Sequence, residues 1–173
     1  MEYWDLYDKN RKPLNKIHKR GLPMQDDEYH IVVSIATINN KNEILITHRD
    51  PRKEMYPDMW EITVGSALSG ESSECAALRE LLEETGIQAN PSELILVDTI
   101  TSRTKGRFSF NDIYFVKKDI KLSELTMQEG ETTEARWVTF LQFNKMAENN
   151  QIAKSSIKRF DVIRNFLMDK WFL

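Results

Sequence analysis

The sequence predicts an α/β domain carrying a small N-terminal β-hairpin. Three observations lead there: β-branched, apolar runs that read as strands, one acidic helix set among them, and an amphipathic helix near the C-terminal end. The 173 residues and 20.3 kDa are the size of one domain with a small attachment. A chain of that length buries roughly 70% of its unfolded surface and can fold without disulfide or metal staples. Its 40% apolar and 29% charged residues suit a globular protein rather than a disordered one. Cys75 is the single cysteine, which excludes an internal disulfide framework and a multi-cysteine zinc site. No apolar run approaches the ~18 residues of a membrane span, and residues 1–12 lack the order of a secretory signal. Cytoplasm is the expected compartment, with no membrane partner.

Residues 2–8 and 14–20 read as two strands around the Asp8-Lys9-Asn10 turn, and GLPMQDDE (21–28) reads as a linker. Residues 1–27 are therefore expected to be the hairpin attachment and 28–173 the main domain. HIVVSIATI (30–38) suits a buried strand, Asn39–Asn42 a turn, and EILITHR (43–49) its antiparallel partner. Residues 50–58 form a loop with two prolines. WEITVGSAL (60–68) begins as a strand and breaks at Gly65. Residues 72–85 form the clearest helix: Ser72 caps it, Glu74 sits in the first turn, and Gly86 suits the left-handed position beyond its end. Further strands are expected at 94–102, 107–117 and 135–140, and a short helix at 141–149. Ile157, Phe160, Ile163, Leu167 and Trp171 recur at helical spacing and make the last helix amphipathic.

The net charge of −3 is unevenly placed. Between Gly65 and Ile87 five carboxylates face one arginine, a local charge of −4, while the rest of the chain sums to +1. No basic tract suggests duplex nucleic acid as a partner. On a wheel of about 100° per residue, Glu84 and Glu83 fall about 40° and 60° to either side of Glu80. Leu78, Leu81, Leu82, Thr85 and Cys75 occupy the opposite half, so Cys75 is expected in the core. Ala76 and Ala77 are expected to leave room beside the acids. Three like charges at i, i+3 and i+4 repel. A hard divalent cation reverses that cost, and magnesium commonly joins carboxylates to substrate phosphates. A solvated acidic face is the alternative reading of this helix alone.

The preceding residues bear on that choice. GSALSGESSECAALRELLEETGI (65–87) matches Gly-x5-Glu-x7-Arg-Glu-U-x-Glu-Glu-x-Gly-U, with U aliphatic, at all nine defined positions: Gly65, Glu71, Arg79, Glu80, Leu81, Glu83, Glu84, Gly86 and Ile87. A chance match is expected on the order of once in ten million chains. The chain resembles the Nudix hydrolases over about residues 28–172. That resemblance implies an α/β/α sandwich around a mixed β-sheet and metal-dependent hydrolysis of a diphosphate. One departure is Ser66, where many members have a second glycine.

The resemblance implies that Glu80, Glu83 and Glu84 bind Mg2+, with Mn2+ as substitute and the Gly65 carbonyl as a further ligand. Glu71 would organise the loop before the helix and Arg79 would orient a glutamate. The base that takes a proton from water is left among Glu83, Glu84 and Glu131. Glu131 lies in EGETTEARW (129–137), which is similar to the family's segment before a strand; solvated loop charge is the alternative. Arg49, Arg52 and Tyr56 are candidates for binding a small-molecule diphosphate substrate, against surface or core roles. Trp60 is expected to be structural. His18, His30 and His48 have no metal-ligand spacing. Residues 5–21 also resemble the isopentenyl-diphosphate isomerase branch, but TVGSAL (63–68) lacks that branch's cysteine. A non-catalytic diphosphate sensor is the other alternative, and a homodimer is compatible with the chain's size.

Overall fold

The computed structural model describes residues 2–104 and 106–171. Among the described residues nine strands and three α-helices follow in order: β1 (Tyr3–Tyr7), β2 (Pro13–Lys19), β3 (His30–Ile38), β4 (Ile44–Arg49), β5 (Trp60–Glu61), β6 (Thr63–Ser66), α1 (Ser73–Thr85), β7 (Ile95–Thr104), β8 (Arg107–Lys117), β9 (Thr132–Val138), α2 (Phe140–Glu148) and α3 (Lys154–Trp171). β1 and β2 form the expected hairpin, a separate two-stranded antiparallel sheet.

The remaining strands form one mixed sheet that forks. β3 runs parallel to β8 and antiparallel to β6, and β7 pairs with β8. β4 lies between β5 and β9, and it meets β3 only at Ile38–Ile44 beside their turn. The segment expected as one strand from Trp60 is divided at the buried Ile62. β5 follows β4 into one arm, whereas β6 joins β3 in the other. Local composition does not encode that division, because it is set by pairing partners distant in sequence.

Side chains alternate across the sheet and feed two cores. Ile31, Val33, Ile35, Leu45, Tyr114 and Val116 pack with Ala76, Ala77 and Leu81 of α1. Ile38, Ile44, Ile46, Ile113 and Phe115 pack on the other face with Phe143 of α2 and Phe160, Ile163 and Leu167 of α3. This is the α/β/α sandwich. Phe143 stacks on Phe160 with centroids 3.9 Å apart, joining the two outer helices.

α1 presents a different face to the sheet from the one its apolar stripe predicts. Ala76 and Ala77 are fully buried, while Cys75 is exposed and Leu82 is 45% exposed. The small residues allow close approach of helix and sheet, and the helix rolls onto the side that also carries Glu80 and Glu84. The ends are as expected: the Ser72 hydroxyl accepts from Cys75 N at 3.1 Å, and Gly86 adopts φ +75° while donating to Leu82 O.

The hairpin is tied to the start of α1. Arg11, at a left-handed turn position with φ +62°, donates through both terminal nitrogens to the buried Asp112 of β8. Asp112 also accepts from Thr99 Oγ1 at 2.7 Å and from Ser73 Oγ, the first residue of α1. Burial works against the Asp112 charge, but the bonds from Arg11, Ser73 and Thr99 hold its pKa below the ordinary aspartate value. Its depressed pKa makes this stabilisation complete above the ordinary aspartate range. The contribution is lost as pH falls through the lower folded value. Replacing Arg11 by Ala should cost about 2 kcal/mol in urea unfolding near neutral pH. That is less than for a fully buried pair, because Arg11 is part-exposed and the two hydroxyls remain. An unchanged midpoint would show the hairpin to be loosely attached.

Candidate active site

The fork in the sheet brings acids from three elements together. Glu61 sits on β5, Glu80, Glu83 and Glu84 on α1 beside Gly65 of β6, and Glu131 in the loop immediately before β9. The segment bearing Glu131 runs along the end of α1: Thr126 N donates to Thr85 O at 3.0 Å, and Thr132 Oγ1 lies 3.4 Å from Glu84 O. Asp50 N donates to Glu131 O at 2.9 Å, which fastens the same segment to the loop after β4.

Arg79 connects the acids. Its Nε and Nη2 grip the two oxygens of Glu71 at 2.7 and 2.9 Å. Nη1 donates to Glu80 at 2.8 Å and Glu83 at 2.9 Å, and Nη2 also donates to Ser66 O at 3.0 Å. Glu71 in turn accepts from Leu68 N at 2.8 Å. That bidentate pair closes the loop between β6 and α1. The hairpin holds the loop from outside: Asp5 accepts from Ser69 Oγ at 2.6 Å and Gly70 N at 2.8 Å, and Ser69 N donates to Tyr3 O at 2.8 Å.

Gly65 has a steric requirement. A Cβ built there would lie 1.9 Å from Glu80 Cδ and 2.0 Å from its Oε1. The Glu80 carboxylate therefore rests directly on the β6 backbone, a place only glycine leaves open. Gly86 serves as the αL cap rather than facing the acids.

Glu84 is not the solvent-facing residue that the wheel suggests. It is 6% exposed and accepts from Val64 N, and its Oε2 has no partner among the described residues. Burial raises its pKa well above the usual glutamate value, reinforced by Glu61, Glu80 and Glu131. Burial also raises Glu80, against the opposing Arg79 charge. Glu83 remains half-exposed, with Arg79 as its partner.

The substrate candidates divide. Arg49 is bound to the buried Glu61, and its Nε donates to Met55 O at 3.0 Å. Burial raises the Glu61 pKa and Arg49 opposes that rise. Tyr56 lies part-buried in the neighbouring loop at φ +50°. Arg52 is not brought to the acids: it folds back on Asp50 through three bonds of 2.6–2.8 Å and stays 73% exposed. Trp60 is buried. Two residues were missed in the sequence. Glu61 lies outside the matched motif and reads as an ordinary strand residue. Lys53 pairs with Glu131, a contact no local pattern announces.

The scan against family models matches the NUDIX domain over residues 28–160. The chain belongs to the Nudix family. An uncharacterized Nudix hydrolase of Listeria monocytogenes is 40% identical over 146 residues, spanning 80% of each chain. An isopentenyl-diphosphate Delta-isomerase of Paenarthrobacter aurescens is 35% identical over 92 residues, 53% of this chain and 50% of its own. A crystal structure from Deinococcus radiodurans superposes with a TM-score of 0.75 at 19% identity, covering 94% of this chain and 98% of that one. That likeness is one of fold.

The donor set of this Nudix site fits a hard divalent cation. Glu84 offers an unpartnered buried oxygen within a group of four carboxylates, and oxygen donors suit Mg2+. Among the described residues no three acids converge on one point as they stand, because Arg79 holds Glu80 and Glu83. A cation held by all three would need those two carboxylates to turn from Arg79, whose fork to Glu71 is separate.

The raised Glu84 pKa has a stability consequence. The folded state retains a proton that the unfolded state releases, so metal-free stability falls as pH rises from the ordinary glutamate value through the folded one. Glu84→Gln keeps the shape without the charge. In chelator at pH 8 it should melt at least ~2–4 °C above wild type, the equivalent of about 1 kcal/mol at this size, and the gain should shrink toward pH 4.5. Equal melting temperatures at pH 8 would contradict the burial of this charge.

Proposed function

We propose that this Nudix hydrolase is a Mg2+-dependent enzyme that cleaves the diphosphate linkage of a small organic diphosphate, such as a nucleoside diphosphate derivative. The observation that carries the reading is the buried Glu84 carboxylate, whose Oε2 has no partner among the described residues, beside Glu61, Glu80 and Glu131. Such crowding of acids is tolerable with protons or with a cation. Glu80, Glu83, Glu84 and the Gly65 carbonyl would hold Mg2+, or Mn2+ in its place. When bound, the ion supplies charge neutralisation on phosphate and a more acidic water.

The chain's own groups do the rest. Arg79 and Glu71 hold the loop, so Gly65 and Glu80 keep their approach. Glu131 accepts the proton from the attacking water, with Lys53 orienting its carboxylate. The water oxygen forms a bond to one phosphorus, the bridging P–O bond breaks, and the other phosphate departs with the bonding pair. Arg49 and Tyr56 line the substrate side, and Arg52 stands at its rim. The isomerase-like relative keeps isomerisation as the second reading. β6 carries no cysteine, however, and the sole cysteine lies exposed on α1.

A phosphate-release screen over about fifty organic diphosphates with Mg2+ tests the assignment, with isopentenyl diphosphate included and its allylic product assayed. Turnover should vanish in excess chelator; undiminished turnover there would remove the metal from the mechanism. For the base, Glu131→Gln should lower kcat at least ~10-fold at saturating Mg2+ while Glu129→Gln changes it little. Equal, small effects would take Glu131 out of the reaction.

A further inference from the structure

Asp5 of β1 lies outside the Nudix motif, yet both of its oxygens bind the loop between β6 and α1. Oδ1 accepts from Ser69 Oγ at 2.6 Å and Oδ2 from Gly70 N at 2.8 Å. Those donors are the two central residues of a tight turn. Glu71 N donates to Leu68 O at 2.9 Å, and Gly70 stands third in the turn at φ +85°, the pattern of a type II turn. The N–H that Asp5 takes belongs to the central peptide, between Ser69 and Gly70. Rotation of that peptide interconverts turn types, so its acceptor decides which one forms. With the turn fixed, the Glu71 carboxylate reaches back to Leu68 N at 2.8 Å and presents its two oxygens to Arg79.

Asp5 is itself held. Tyr7 exchanges both backbone hydrogen bonds with Tyr29 at 2.8 Å, just before β3. The Trp4 ring stacks on His30 of β3 with centroids 4.0 Å and planes 10° apart. Between these anchors the β1–β2 register shifts from Asp5 to Tyr7, an irregularity of the kind that re-aims a side chain. Leu6 is buried, whereas the neighbouring Asp5 reaches the loop.

The turn controls the reach of Arg79. Its Nη1 bonds Glu80 and Glu83, while Nε and Nη2 are committed to Glu71. A cation that takes Glu80 and Glu83 must draw them from Nη1. While the Glu71 fork holds, the guanidinium cannot follow them. Once the turn slackens and Glu71 withdraws, all five donors compete with the cation for the helix carboxylates. Asp5 thus acts on the cation's competitor without touching the acids.

We infer that Asp5 is a positioning residue of the active site: it sets the 68–71 turn that holds Arg79 through Glu71, and so releases Glu80 and Glu83 to a cation. Its effect on the cation rests on the metal reading above; its hold on Arg79 does not.

The test uses the intact chain with Asp5→Ala, Asp5→Asn and Ser69→Ala. Asparagine can offer its oxygen to Gly70 N and its amide to the Ser69 hydroxyl, which accepts as well as donates. Alanine can do neither. In chelator, hydrogen exchange at the Leu68 amide should be about 10-fold faster in Asp5→Ala and within about 3-fold of wild type in Asp5→Asn, the scale of one hydrogen bond. Calorimetric titration with Mn2+ alone should show binding about 5- to 10-fold weaker in Asp5→Ala, again with Asp5→Asn within about 3-fold of wild type. Ser69→Ala keeps the Gly70 bond and should fall between; it carries the test if Asp5→Ala does not fold. Lys16→Ala removes the 2.8 Å bond from β2 to Glu28, away from the loop, and should loosen the hairpin with Mn2+ affinity unchanged. Wild-type Leu68 exchange or wild-type Mn2+ affinity in folded Asp5→Ala overturns the assignment. So does an equal loss in Asp5→Asn, which would make charge rather than the turn responsible. Faster Leu68 exchange in Asp5→Ala, in a protein that takes up no Mn2+, would support the hold on Arg79 while refuting the metal reading.

Discussion

A carboxylate held in the interior with one oxygen unpartnered among the described residues governs the arrangement of this molecule. Glu84 lies on the side of α1 that packs on the sheet, near three further acids. An ionised group there, deprived of water, is costly unless a proton or a cation compensates it. A fold selected for stability alone would put an aliphatic residue at such a position. The acid is retained at the expense of stability once pH exceeds the ordinary glutamate range. Ala76 and Ala77 are part of the same arrangement. Their small side chains bring the helix backbone close to the sheet and set the roll that turns Glu80 and Glu84 inward.

That geometry needs rigid support, because a buried acid whose backbone drifted would find water instead of ligand. Support comes from two directions. From within, Arg79 spans Glu71, Glu80, Glu83 and the Ser66 carbonyl, binding the loop to the helix it precedes. From outside, the hairpin holds Ser69 and Gly70 through Asp5, and reaches the first helical residue through Arg11, Asp112 and Ser73. The hairpin is thus continuous with the framework of the loop, although it contributes no strand to the main sheet.

Much of this was legible in the sequence, and the illegible parts share a cause. Ser72, Gly86 and the intervening pattern gave the bounds of α1 because capping is local chemistry. The matched motif holds Glu80, Glu83, Glu84, Arg79 and Glu71, which the structure gathers. The roll of the helix was misread, since a wheel ranks positions by hydropathy and sends every glutamate outward. The wheel consequently sends Cys75 to the core and Glu84 to solvent, the reverse of what packing imposes. Glu61 and Lys53 escaped notice for another reason. Each acquires meaning only from a partner that pairing or loop closure brings near: Arg49 for one, Glu131 for the other.

The forked sheet explains why the charges segregate. β3 and β4 separate after their shared turn, and the chain crosses between the arms within Trp60–Ser66, placing Glu61 on one arm and Gly65 on the other. Helix α1 covers one face and brings acids; α3 covers the other, docks on β5 and brings Arg159. Opposite charges supplied from opposite faces cannot neutralise one another directly, because the sheet stands between them. Glu61, at the edge of the fork, is the group shared by both fields: it raises the proton affinity of Glu84 and partly offsets the burial of Arg159.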